Sequence, residues 1–148
     1  MLVQLEKTMH RLNRVFPARL QAFDQVKALI DEFGTVAELG PEDRHKLTLI
    51  VEELFTNTVT HGHRGDSDAP VFITFEEAQG ELQLIYEDSA PQFDPLIAGR
   101  RTDIDATIEE RRIGGLGIFI TIGLTDNADY SYVEGRNRIC LRLAATRD

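Results

Sequence analysis

Glu53 and Asn57 stand four residues apart in the run Glu52-Glu53-Leu54-Phe55-Thr56-Asn57. On a helix that spacing sets two side chains one turn apart and about 40° off a common line, so both can reach one small volume. An asparagine oxygen suits Mg²⁺, which takes oxygen ligands and draws some of them from substrate phosphates. A carboxylate one turn away can orient or deprotonate a hydroxyl or a water. A solvated polar stripe on an amphipathic helix has the same spacing, and Glu52, Thr56 and Thr60 read as surface or packing residues.

Asp88 closes the apolar run Leu82 to Tyr86 and is followed by Ser89-Ala90-Pro91. A carboxylate at a strand end can accept the amine hydrogen of an adenine, and strand ends beside loops are where pockets form. Aspartate also caps turns through its own side chain, so the position alone does not decide between the two roles. Gly114-Gly115-Leu116-Gly117 precedes an apolar stretch. Glycines let a backbone approach a ligand closely, and a helix that follows them offers free N–H groups to phosphate. Neither the P-loop pattern nor the protein-kinase glycine-rich loop with its partner motifs occurs, so any nucleotide is held by a different fold. His61-Gly62-His63 lacks a third well-spaced ligand and reads as turn chemistry, not a metal pair. Arg100, Arg101, Arg111 and Arg112 interleave with acids; they either pair along a solvated helix or close over phosphates.

The elements that position these residues follow from periodicity. A short strand is expected around Arg11 to Phe16, with Pro17 opening a helix. Leu20, Phe23, Val26, Ile30 and Phe33 recur at helical spacing, and Gly34 reads as the stop. Pro41-Glu42-Asp43 begins a second helix that runs to about Gly62, with Leu47, Ile50, Val51, Leu54 and Thr58 as its packing stripe. Val71 to Glu77 and Leu82 to Glu87 form a hairpin around Ala78 to Glu81. The stretch from Asp88 to about Ile113 is irregular and long for a loop, which suggests a lid at about 95–113. Ile118 to Leu124 reads as a short buried helix. Ala128 to Val133 and Arg138 to Leu143 form a second hairpin whose turn is Glu134-Gly135-Arg136-Asn137. Strands grouped apart from helices predict a two-layer α+β sandwich.

The 148 residues suit one domain, 1–148, and 42% hydrophobic residues suffice for a core. A net charge of −9 opposes binding to a phosphate backbone, so direct contact with nucleic acid is not expected. The start MLVQLEKTMHRLN has no apolar stretch, which predicts a cytoplasmic protein with no membrane segment. Cys140 cannot pair internally and reads as a small buried hydrophobe.

Taken in order, Glu53-x-x-x-Asn57 with His61-Gly62, then Asp88 with Phe93-Asp94-Pro95, then Gly114-Gly115-Leu116-Gly117, resemble the GHKL ATPase superfamily. More closely they are similar to the small, free-standing anti-sigma factor serine kinases. The resemblance covers roughly Arg11 to the C-terminus. It implies a histidine kinase-like ATPase fold, in which helices pack on one face of a mixed, mainly antiparallel sheet. It implies ATP and Mg²⁺ as ligands, with Asn57 holding the metal and Glu53 as the base for the acceptor serine. Asp88 would read adenine and Gly115 and Gly117 would face phosphate, with Ala90, Arg112, Gly114 and Leu116 completing the nucleotide-binding set. The implied partners are a sigma factor and a small antagonist protein that is phosphorylated on serine; several family members are homodimers. The family usually has glycine where this chain has Ala90, and an alanine at positive φ is strained by about 1 kcal/mol or more. That departure motivates an alternative, a weakly active or inactive module that sequesters a partner with or without nucleotide gating.

Overall fold

Alternation of apolar and polar residues builds the sheet. A computed structural model describes residues 9–100 and 116–146. Strands β1 (His10–Pro17), β2 (Pro70–Ala78), β3 (Glu81–Asp88), β4 (Asn127–Val133) and β5 (Arg136–Ala144) form one sheet in the order β1-β2-β3-β5-β4. Each of its four pairings is antiparallel. Val71, Ile73 and Phe75, then Leu82, Leu84 and Tyr86, then Ile139, Leu141 and Leu143 all point to one buried face, as the two-residue period of a strand requires. Cys140 falls between inward-facing neighbours and therefore lies on the opposite face, half-exposed, not in the core as its apolar setting suggested.

Helices α1 (Phe23–Val36) and α2 (Pro41–Asn57) cover the apolar face. Val26, Leu29, Ile30 and Phe33 of α1 and Leu47, Ile50, Val51, Leu54 and Phe55 of α2 are buried there. Phe33 stacks on Phe75 of β2 with ring centroids 5.4 Å apart, and Phe23 meets Phe55 at 5.9 Å. Burial of each such side chain contributes about 1.5–3 kcal/mol. This is the two-layer α+β sandwich with helices on one face.

The start and stop of α1 differ from expectation. Pro17 ends β1; a short 3₁₀ turn, Leu20–Ala22, then leads into the helix and leaves Leu20 exposed. Gly34 lies inside the helix, where a Cβ would come within 2.6 Å of Arg44 Nε. That glycine admits a guanidinium that also bonds the Leu39 carbonyl at 3.0 Å. The stop is made by Glu38, at φ 55, with Leu39 N–H donating to the Gly34 carbonyl and Glu38 N–H to that of Thr35. These are the paired bonds of a Schellman ending, and buried Leu39 supplies its hydrophobic contact.

Helix α2 starts as its sequence predicts, with Pro41 in the first turn beside Glu42 and Asp43. Asp43 is fully buried and accepts from the backbone and hydroxyl of Thr146, which fastens the residue beyond β5 to the start of α2. At its far end the helix widens into one π turn, Thr58–Gly62, whose His63 N–H reaches the Thr58 carbonyl at 2.9 Å. Within the expected lid, α3 (Pro95–Arg100) is helical and lies beside α4 (Leu116–Gly123). Arg101, Arg111, Arg112, Gly114 and Gly115 lie outside the described residues.

Candidate functional site

Between the end of α2, the π turn, the end of β3 and the loop that follows lies a cavity of about 290 Å³. That is near the lower end of the usual range for small-molecule sites, about 300–1,000 Å³. Asn57, Asp88 and Ala90 line it together, so three of the residues singled out in the sequence meet at one place. Glu53 does not line it. Its carboxylate lies one turn back along α2, against the backbone of Gly117 in α4. The helical spacing that aligned Glu53 with Asn57 holds, but Asn57 lines the cavity and Glu53 does not.

Asp88 is 8% exposed, and its carboxylate is held by its own chain. Oδ1 accepts from Ala90 N–H at 3.2 Å and from Asn137 Nδ2 at 2.9 Å; Oδ2 accepts from Thr58 Oγ1 at 2.7 Å. A carboxylate offers about four acceptor positions, so one more donor can be received. Thr58 lies 2.6 Å from Tyr86 Oη and 3.0 Å from the Leu54 carbonyl. Its single proton goes to the nearer, charged acceptor, so Tyr86 donates to Thr58 and Thr58 to Asp88. Burial, opposed by the Thr58 bond and reinforced by Asp88, raises the Tyr86 phenol well above its ordinary value, which keeps it a donor.

Asn137 ties this group to the loop. Its Nδ2 donates to Asp88 Oδ1 and to the carbonyls of Ala90 at 3.0 Å and Pro91 at 3.1 Å. Its Oδ1 accepts from Phe93 N–H at 2.9 Å and from Tyr130 Oη at 2.6 Å. Acceptors on one end and donors on the other fix the amide orientation. The sequence placed Asn137 in a turn; the turn is instead the residue pair Glu134 and Gly135, at φ 53 and 78, and Asn137 is already in β5 opposite Asp88. Two left-handed residues in a row make a two-residue hairpin turn. Counting inward alternation back from Leu143, Leu141 and Ile139 would have found Asn137.

Ala90 is 3% exposed. The non-glycine residues with positive φ among those described are Glu38, Arg64, Gln79 and Glu134, so Ala90 carries no left-handed strain. Arg64 is exposed at the cavity's edge, a cation that sequence reading passed over in favour of the lid arginines.

Two features bear on whether a magnesium-bound nucleotide suits these residues. Asn57 Nδ2 is buried with no hydrogen-bond partner among the described residues. Turning that amide by half a revolution presents its oxygen instead, so either a donor or a metal-binding oxygen is available at the cavity. Asp88 keeps acceptor capacity for an amine. The donor set fits the group. No cluster of three or more His, Cys, Asp or Glu residues that would hold a metal by themselves occurs among the described residues. No helix among them is long and apolar enough to cross a membrane.

A helical layer on an antiparallel sheet, with a mainly apolar cavity that carries a few polar groups where the second helix meets the end of a central strand, defines a histidine kinase-like ATPase domain. The profile of that family matches residues 16–143, and the chain belongs to it. Among its relatives is a serine-protein kinase RsbW from Listeria monocytogenes, 26% identical over 132 residues, which span 86% of this chain and 84% of that one. An anti-sigma F factor from Shouchella clausii is 28% identical over 107 residues, 71% of this chain and 72% of the relative. A crystal structure of the RsbU and RsbW domains of a Mycobacterium tuberculosis protein superposes with a TM-score of 0.66 at 17% identity. That match covers 94% of this chain and 33% of the other, and it shows a shared fold.

Proposed function

We propose that the chain is a cytoplasmic, ATP-dependent serine kinase that also acts as an anti-sigma factor, phosphorylating a small antagonist protein in a partner-switching circuit. The observation that carries this reading is the pairing, in one cavity, of the Asp88 carboxylate with the Asn57 amide, whose Nδ2 has no partner among the described residues. The names of its relatives, serine-protein kinase RsbW and anti-sigma F factor, support it.

In this reading Asp88 accepts the adenine amine hydrogen, while Asn137 and Thr58 hold the carboxylate still. A guanine would present a carbonyl oxygen at that place, and two acceptors face to face repel. Asn57 holds Mg²⁺ through its side-chain oxygen, with Gly114, Gly115, Leu116 and Arg112 on the phosphate side. When bound, Mg·ATP supplies the phosphoryl group and the metal charge that offsets its negative oxygens. Glu53 Oε takes the proton of the acceptor serine hydroxyl. The sigma factor and antagonist are bound as proteins, in keeping with a net charge of −9 that disfavours DNA. A homodimer is the assembly proposed.

A module that sequesters its partner without catalysis is the second reading, favoured by the placement of Glu53 outside the cavity lining. Purified protein mixed with labelled ATP, Mg²⁺ and a small antagonist protein from the same organism separates the two. The kinase reading expects serine-linked label on the antagonist; nucleotide binding without transfer leaves the module.

A further inference from the structure

Gly117 lies in the first described turn of α4, where glycine costs a helix about 0.5–1 kcal/mol relative to alanine. A Cβ built there would overlap the Glu53 carboxylate: Oε2 and Cδ are the nearest atoms, and Oε1 follows at 2.9 Å. Gly123 in the same helix has nothing within 4 Å of such a Cβ, so close approach is not general along α4. Gly34 offers a parallel elsewhere in the fold, with the Arg44 guanidinium resting on a helical glycine. Glu53 makes no side-chain hydrogen bond or ion pair among the described residues, so packing on Gly117 is what those residues offer to hold its carboxylate. The Gly117 carbonyl is itself occupied, accepting from Thr121 Oγ1 at 2.9 Å.

We propose that Gly117 is a positioning residue for Glu53: its missing side chain is the seat on which the carboxylate rests, and this, not room for phosphate, is what the site requires at 117. The catalytic consequence rests on the kinase reading; the seat itself does not.

A double-mutant cycle tests it, with Gly123→Ala as the control. Gly117→Ala should lower the thermal midpoint, or leave it unchanged, in the otherwise natural chain. In the Glu53→Ala background, where the collision is gone, the same substitution should raise it by about 2–4 °C, as helix propensity predicts. Gly123→Ala should act alike in both backgrounds and leave transfer unchanged. Titration with ADP and Mg²⁺ should give affinities for Gly117→Ala within about threefold of the natural chain. Serine phosphorylation should fall at least about a hundredfold, mainly in kcat, and the shorter carboxylate of Glu53→Asp should recover part of it in the Gly117→Ala chain.

Equal thermal shifts in the two Glu53 backgrounds would overturn the seat. So would a tenfold loss of ADP affinity from Gly117→Ala that persists in Glu53→Ala, because Gly117 would then serve the nucleotide directly. If the natural chain transfers no phosphate, the kinase reading fails, while the thermal cycle still decides the seat.

Discussion

The methyl group of Ala90 rests against Gly62: a Cβ placed on Gly62 would lie 2.8 Å from that of Ala90. The methyl group at position 90 is accommodated by the absence of a side chain at position 62. Gly62 is not at positive φ, so steric room, not backbone freedom, is its contribution. Gly62→Ala should therefore destabilise the protein by about 1–3 kcal/mol through overpacking. Ala90→Gly in the same chain should recover most of that loss. Urea unfolding of the two single variants and the double variant measures the coupling; additive effects would refute it.

Asn137 carries the next expectation. Asn137→Ala deprives Asp88 of a donor and the Phe93 N–H of its acceptor, which should cost about 1–3 kcal/mol and weaken ADP binding. Asn137→Asp should be worse at neutral pH despite its similar shape, because it sets an acceptor against Asp88 Oδ1 and the Ala90 carbonyl. Calorimetric titration with ADP, read beside urea unfolding, ranks the two variants.

Alkaline stability should report on Tyr86. Its phenol is raised well above 10 in the folded chain and ionises near its ordinary value when unfolded. Below that ordinary value both states hold the proton and the full stability is present. As pH climbs past about 10 the unfolded state sheds the proton first, so stability falls toward the raised folded value. Tyr86→Phe should lower stability at pH 8 by about 0.5–1.5 kcal/mol for the lost bond to Thr58. It should also flatten the decline between about pH 10 and 11. Unfolding curves at pH 8 and 11 supply the comparison.

The division of labour on α2 gives a fourth. Glu53→Gln should reduce serine phosphorylation by about 10²–10⁴ and leave ADP affinity within a few-fold. Asn57→Ala should abolish the gain in nucleotide affinity that Mg²⁺ confers. Titrations with and without the metal distinguish them, and a Glu53→Gln chain of full activity would dismiss Glu53 as the base.

Much of this was legible in the sequence because it is local. The apolar periods of α1 and α2, the alternation of β2, β3 and β5, and the proline and acids that open α2 each express one element's own geometry. What escaped depends on contacts distant along the chain. Asn137 and Asp88 are 49 residues apart, and the pairing of β3 with β5, which no local turn connects, sets their register. Gly34 looked like a stop because the guanidinium that fills its place belongs to the next helix. Thr58 looked like a packing residue, and it is buried, but its hydroxyl supports Asp88. Asn57 and Asp88 were singled out by residue type and line one cavity; that Glu53 rests on Gly117 required the fold.

The π turn at Thr58–Gly62 also keeps count. Its wider hydrogen-bonded loop takes up residues that a regular α-helix would have carried on to a new angle. A further residue inserted there, with no second wide turn to absorb it, would swing everything beyond it by about 100° about the axis of α2. Gly62 would leave Ala90, and Arg64 would leave the cavity's edge, while every other side chain stayed the same. Between Asn57 and Arg64, the chain is therefore constrained in length as well as in composition, and there a change in residue number would do more harm than most changes of residue type.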